Sequence, residues 1–184
     1  ITLPTKPLNH IDDPNGEIAL CILSAVNVGK IRDLEDLQVL CDLAVRSLDE
    51  LIDFQNYPIR AAEIATKARR SLGIGYIGLA HFLAKQGFNY SDKGAWDAVH
   101  KLTEAFQYYL ISATVDLAKE KGACEYSSRT KYGNGILPID TYKHDVDEIV
   151  PNELHYDWED LRLRVKEHGV RNSTLSAQMP SESS

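Results

Sequence analysis

Three thiols, a serine-rich end and one glycine-rich stretch are the parts of this chain whose residue types suit chemistry. Cys21 sits in the apolar run GEIALCILSAVNVG, residues 16–29. There it is either a small buried hydrophobe or a redox thiol facing a cavity, with its partner elsewhere. Cys41 falls on the apolar stripe of a helix and belongs to the core. Cys124, just after Gly122 and Ala123, is expected as a partly buried loop residue. No two of these have C-x-x-C spacing, so a self-contained redox motif is absent. The histidines at 10, 81, 100, 144, 155 and 168 are scattered, without the spacing that zinc sites use.

GIGYIG, residues 73–78, invites comparison with a nucleotide-binding glycine loop. It follows an Ala/Arg-rich helical stretch rather than a strand, so a close helix–helix contact at glycine is the expectation. Arg69 and Arg70, just before it, are expected as surface charges rather than anion clamps. The closing MPSESS is different. Pro180 fixes the chain, and Ser181, Glu182, Ser183 and Ser184 then bring hydroxyls and backbone amides in quick succession. Such a turn presents donors to phosphate oxygens, especially where a helix begins. Each charge-assisted bond would contribute roughly 1.5–3 kcal/mol. A frayed tail has the same composition, and these residues alone leave both open.

The elements that must position these groups follow from periodicity and punctuation. Residues 16–29, bounded by Gly16 and Gly29, fit a buried strand better than a helix. Asp33 can cap a helix over about residues 33–54, with Leu37, Cys41, Ala44, Leu48 and Ile52 along one face. Pro58 marks the start of another, continued by residues 60–70. Ser91 or Asp92 can cap the longest helix, which runs to a C-cap at Gly122 and buries Leu102, Phe106, Leu110, Ala113 and Leu117. Asp140 or Thr141 can start a short helix, and a last helix is closed by Gly169. The pattern predicts one mixed α/β domain, or the helix-rich part of a larger one, with short strands near each end.

Bulk properties narrow the classes of function. The chain has 184 residues, 43% hydrophobic and 26% charged, as expected of an ordinary globular domain. A net charge of −7 argues against a nucleic-acid footprint or an anionic membrane partner. No apolar run is long enough for a membrane span, and three cysteines make no disulfide framework, so the expected setting is the cytosol. The sequence opens on Ile1 rather than Met, and both ends look cut.

Several separated stretches together resemble one family. The run from Trp158 through Leu161, Gly169, Arg171, Asn172 and the small residues beyond to Pro180 resembles the signature of the large, catalytic chain of class I (aerobic) ribonucleotide reductases. PTKPL, NGEIALCILSAVNVG, RRSLGIGYIGLAHFLAK, YSDKGAWDAVHKLTEAFQYYL, AKEKGAC and GILPIDTYKHD fit that family in the same order. The resemblance covers essentially the whole chain, residues 1–184. It implies a fold, the ten-stranded α/β barrel built of two antiparallel halves, of which this chain would be a helix-rich central fragment. It also implies roles. Cys21 matches the second redox cysteine, whose partner lies on an earlier strand. Pro180, Ser181, Glu182, Ser183 and Ser184 match the P-S-E-T-S loop that holds the substrate diphosphate, with Ser183 in place of threonine. The family's Asn-x-Cys-x-Glu triplet, which carries the radical cysteine, would lie upstream of Ile1.

The implied reaction reduces ribonucleoside diphosphates to deoxyribonucleoside diphosphates. Its implied partners are the rest of the large chain, a metal-containing small subunit that supplies the radical, ATP and dNTP effectors, and thioredoxin or glutaredoxin. No cofactor, nucleic acid or membrane is expected to be bound by this segment itself. Two alternatives remain at this point: a non-catalytic helical assembly domain, with Cys21 a core residue, and an inactive reductase relic.

Overall fold

The computed structural model describes residues 5–150 and 153–179. Its spine is a pair of parallel strands, β1 (Ile22–Asn27) and β2 (Leu72–Ile77), in register from Ile22 opposite Leu72 to Asn27 opposite Ile77. Parallel neighbours need a crossover. Here it is made by α1 (Asp36–Phe54) and α2 (Arg60–Arg69). After β2 come α3 (Leu79–Lys85), the long α4 (Lys93–Lys121), several single 3-10 turns between residues 127 and 148, and α5 (Trp158–His168). No helix among the described residues is long and apolar enough to cross a membrane.

The helices form where local signals ask for them. The Asp33 carboxylate accepts from the Asp36 amide at the start of α1, and Asp157 accepts from the Asp160 amide at the start of α5. Gly122 ends α4 with φ +86°, a conformation an L side chain resists. Leu37, Cys41, Val45, Leu48 and Ile52 of α1 meet Leu102, Phe106, Leu110 and Leu117 of α4 in one core. That core lies on one face of the strand pair, under Val26, Leu72 and Ile74, with the Tyr76 ring edge-on to Phe106 at 5.4 Å.

Two expectations about strands change. Residues 16–21 lie outside the strand, so Cys21 stands one residue before β1 rather than inside it. GIGYIG is not a helix–helix contact: it forms most of β2, with Gly78 starting α3. Leu72, Ile74 and Tyr76 alternate with Gly73 and Gly75, a period of two that matches a pleated strand. Asp140 closes a 3-10 turn, Pro138–Asp140, instead of opening a helix. The described residues hold a two-stranded, open sheet and no closed barrel.

Beyond α5 the chain returns to the sheet. Leu72 N donates to Thr174 O at 3.0 Å, Ile74 N to Leu175 O at 2.8 Å and Ala177 N to Ile74 O at 3.1 Å, which lays residues 174–178 parallel to β2. The Gln178 amide continues the pairing with its side chain, donating to Tyr76 O at 2.7 Å.

Candidate active site

The face of the sheet away from the helices carries the thiol. Side chains alternate across a strand, so Ile22, Ser24 and Val26 turn to the core while Cys21, Leu23 and Ala25 turn out, Leu23 with 63% of its surface exposed. Gly73 and Gly75 occupy the same outer face of β2. A Cβ placed on Gly73 would sit 2.8 Å from Cys21 Sγ and 3.2 Å from Ala177 Cβ. On Gly75 it would meet the Ala177 carbonyl oxygen at 2.6 Å and Met179 Sδ at 2.7 Å. Real Cβ atoms keep larger separations: at Gly75 the obstacle is the Ala177 backbone, so glycine is required there, and at Gly73 the Leu23 and Cys21 side chains would have to move aside. The sulfur of Cys21 and the approach to Pro180 therefore share one glycine.

Cys21 is half-buried, and burial pushes its thiol above the ordinary range, so at neutral pH it is held protonated. Cys41 is fully buried on α1, pushed up to about 12 by burial, and is core as expected. Cys124 is more buried than expected; its amide donates to Val170 O. All three thiols are free. Pro180, Ser181, Glu182, Ser183 and Ser184 lie outside the described residues.

Arg69 and Arg70 are not surface charges. The Arg69 guanidinium lies 4.5 Å over the Tyr126 ring and donates to Glu17 at 2.8 Å. Glu17, four residues before Cys21, also accepts from the Tyr126 hydroxyl and the Lys6 amide. Burial opposes its charge, but the bonds from Tyr126, Arg69 and Lys6 win and hold its carboxyl at about 2.

Arg70 is left-handed at φ +48°, the one non-glycine residue with positive φ among those described. Its guanidinium enters the interior, where Nε donates to Asp49 Oδ1 at 2.6 Å and Nη2 to Asp53 Oδ2 at 2.8 Å. Asp49, with no exposed surface, also accepts from Arg171 Nε at 3.1 Å and Asn172 Nδ2 at 3.0 Å. Sequence reasoning singled out neither Asp49 nor its link to Asn172. A signal was present: Asp49 follows Val45 by four and precedes Ile52 by three, an acidic residue on the buried stripe of α1.

Among the described residues no cluster of three or more His, Cys, Asp or Glu could hold a metal ion. An apolar-lined cavity of about 380 Å³ beside α4 lies away from Cys21 and is lined by His100, Glu104, Tyr142 and Trp158 among others.

Comparison with known proteins gives this geometry its context. The family model for the ribonucleotide reductase barrel domain matches residues 2–184. The chain is 61% identical over its whole length to the ribonucleoside-diphosphate reductase subunit alpha of Haemophilus influenzae. It is 59% identical, also over its whole length, to the ribonucleoside-diphosphate reductase 1 subunit alpha of Escherichia coli. Against the corresponding subunit of Enterobacteria phage T4 it is 45% identical over 180 residues, 97% of the chain. In each case it spans 24% of the relative's length. The chain belongs to the ribonucleotide reductase barrel-domain family.

Proposed function

We propose that this chain is a central part of the catalytic barrel of a class I ribonucleoside-diphosphate reductase large subunit, with Cys21 as one of its two reducing thiols and Pro180 to Ser184 as its diphosphate cradle. One observation carries the reading. Cys21 Sγ and Ala177 Cβ lie 2.8 and 3.2 Å from a single point above Gly73, so the thiol and the strand leading to the serines border the same open face. In a closed ten-stranded barrel that outer face becomes the inner wall, and the free edge of β1 takes the strand carrying the partner thiol.

The chemistry assigned to Cys21 balances. The ribose 2′-hydroxyl leaves as water, and the two electrons and two protons come from two thiols, which become one disulfide. A thiol held protonated by burial suits that work, because it must deliver hydrogen rather than attack as a thiolate. The disulfide is then reduced by a dithiol protein such as thioredoxin or glutaredoxin. The radical that starts turnover comes from a metal-containing small subunit through residues outside this chain, and ATP and dNTP effectors act at sites also outside it. The expected compartment is the cytoplasm.

The test is CDP reduction by the full-length large chain with its small subunit and a dithiol reductant. Cys21→Ser is expected to reduce multiple turnover to background while the melting temperature stays at the parental value. Undiminished turnover would refute the role of Cys21 and is what an assembly domain predicts, whereas a relic predicts no CDP reduction by the parental chain.

A further inference from the structure

We infer that Asp49 is a positioning residue for the diphosphate loop: its buried carboxylate locks Asn172 to the α2–β2 joint and so aims the strand that delivers Pro180. The inference rests on the assignment of residues 180–184 proposed above and adds the device that orients them.

A carboxylate without solvent contact is expensive even when paired, and a hydrophobic cluster of the same volume would hold the fold at least as well. Stability alone therefore does not explain Asp49. What it supplies is direction. Its two oxygens join three separate segments: α1, which carries it; Arg70, at the end of α2; and Arg171 with Asn172, at the start of the returning strand. Arg70 is held in a left-handed conformation that an L side chain resists and that lasts only where neighbours over-determine it. In that conformation its carbonyl accepts from Asn172 Nδ2 at 3.1 Å.

Asn172 is gripped on every side. Its amide donates to Thr114 Oγ1 at 2.9 Å, and its Oδ1 accepts from the same hydroxyl at 2.9 Å. The next residues lie on the joint itself: Ser173 N donates to Arg69 O at 3.0 Å, and the hydroxyls of Ser173 and Ser71 are 3.1 Å apart. From there the chain follows β2 to Ala177 above Gly73. A slip of one residue would turn every following side chain to the opposite face. It would also lift Ala177 off Gly73. The Asp49 cluster sets the register where the strand starts.

Tests belong in the full-length large chain with its small subunit, reading KM for CDP, kcat and melting temperature together. Asp49→Asn keeps the shape and removes the charge; the expected result is KM raised about tenfold with kcat nearly unchanged, since misplacement of a binding group is the defect. If that variant fails to fold, Thr114→Val decides, with KM raised about threefold through the lost Asn172 bonds and restored by Thr114→Ser. Cys41→Ala, a core truncation on the same helix, should lower the melting temperature and leave KM alone. The double variant Ser181→Ala/Ser183→Ala separates the two claims. If it raises KM while Asp49→Asn and Thr114→Val only lower the melting temperature, the inference is overturned and the cradle stands. If none of the three raises KM, the cradle falls and the inference with it.

Discussion

Cys21 and Asp49 lie on either side of the same short joint, residues 69–73, and their surroundings are opposites. Around Cys21 the chain removes matter: Gly73 and Gly75 have no side chains, Leu23 is mostly exposed, and the thiol's hydrogen-bond partner among the described residues is the Ile22 carbonyl, at 4.0 Å. Around Asp49 it crowds in donors until each oxygen of a buried carboxylate is taken. The contrast shows two ways of preparing a site. If Cys21 reacts and Asp49 aims the strand as proposed, the reacting group has space and a lightly held sulfur, and the aiming group has more bonds than stability requires.

Breaking the crowded side should have the largest effect on folding. Arg70→Met leaves Asp49 with Arg171 and Asn172 but strips its closest cation, and removing one partner of a buried pair costs about 3–5 kcal/mol. Denaturant unfolding of the full-length chain should show a loss of that size, whereas a loss below about 1 kcal/mol would place the pair among weak surface bridges.

Filling the empty side should cost less and act on chemistry. Gly73→Ala puts a methyl 2.6 Å from Leu23 Cδ2 and 2.8 Å from Cys21 Sγ. Overpacking of this kind costs about 1–3 kcal/mol. Because the sulfur is the softest neighbour, alkylation of Cys21 by a small thiol reagent should also speed up as it is pushed outward. Unchanged alkylation would mean that Gly73 leaves space the thiol does not need.

The smallest effect sharpens the comparison between two buried carboxylates. Glu17, tying the lead-in to Cys21, has its carboxyl lowered from 4.5 to about 2. A depressed acid contributes stability that is complete above its unfolded value and is lost as the pH falls through the folded one. Stability of the full-length chain should therefore fall between about pH 4.5 and 2 in a component that Glu17→Gln removes. An identical acid profile in that variant would assign the loss to other carboxylates.

The local elements were legible before any coordinates. The apolar stripes of α1, α4 and α5 repeat every three or four residues, and their ends carry Asp33, Gly122 and Gly169, so neighbours in sequence settle them. Cys41 as core followed from the same stripe. The motifs that mark the family, Cys21 among them, were equally visible, because they are residue identities in order. Asp49 left a trace that periodicity alone could have caught.

What stayed hidden depended on partners distant in the chain. LGIGYI becomes a strand only because β1 lies along one edge and residues 174–178 along the other; without those ladders its glycines favour no one state. Arg69 and Arg70 look like solvent charges until Glu17, Asp49 and Asp53, 17 to 52 residues away, take them inside. Helix period and end-capping are interactions over a few residues, and the amino-acid order determines them directly. Strand pairing and the burial of charge are decided by which distant groups arrive to satisfy them, and only the folded chain brings those groups together.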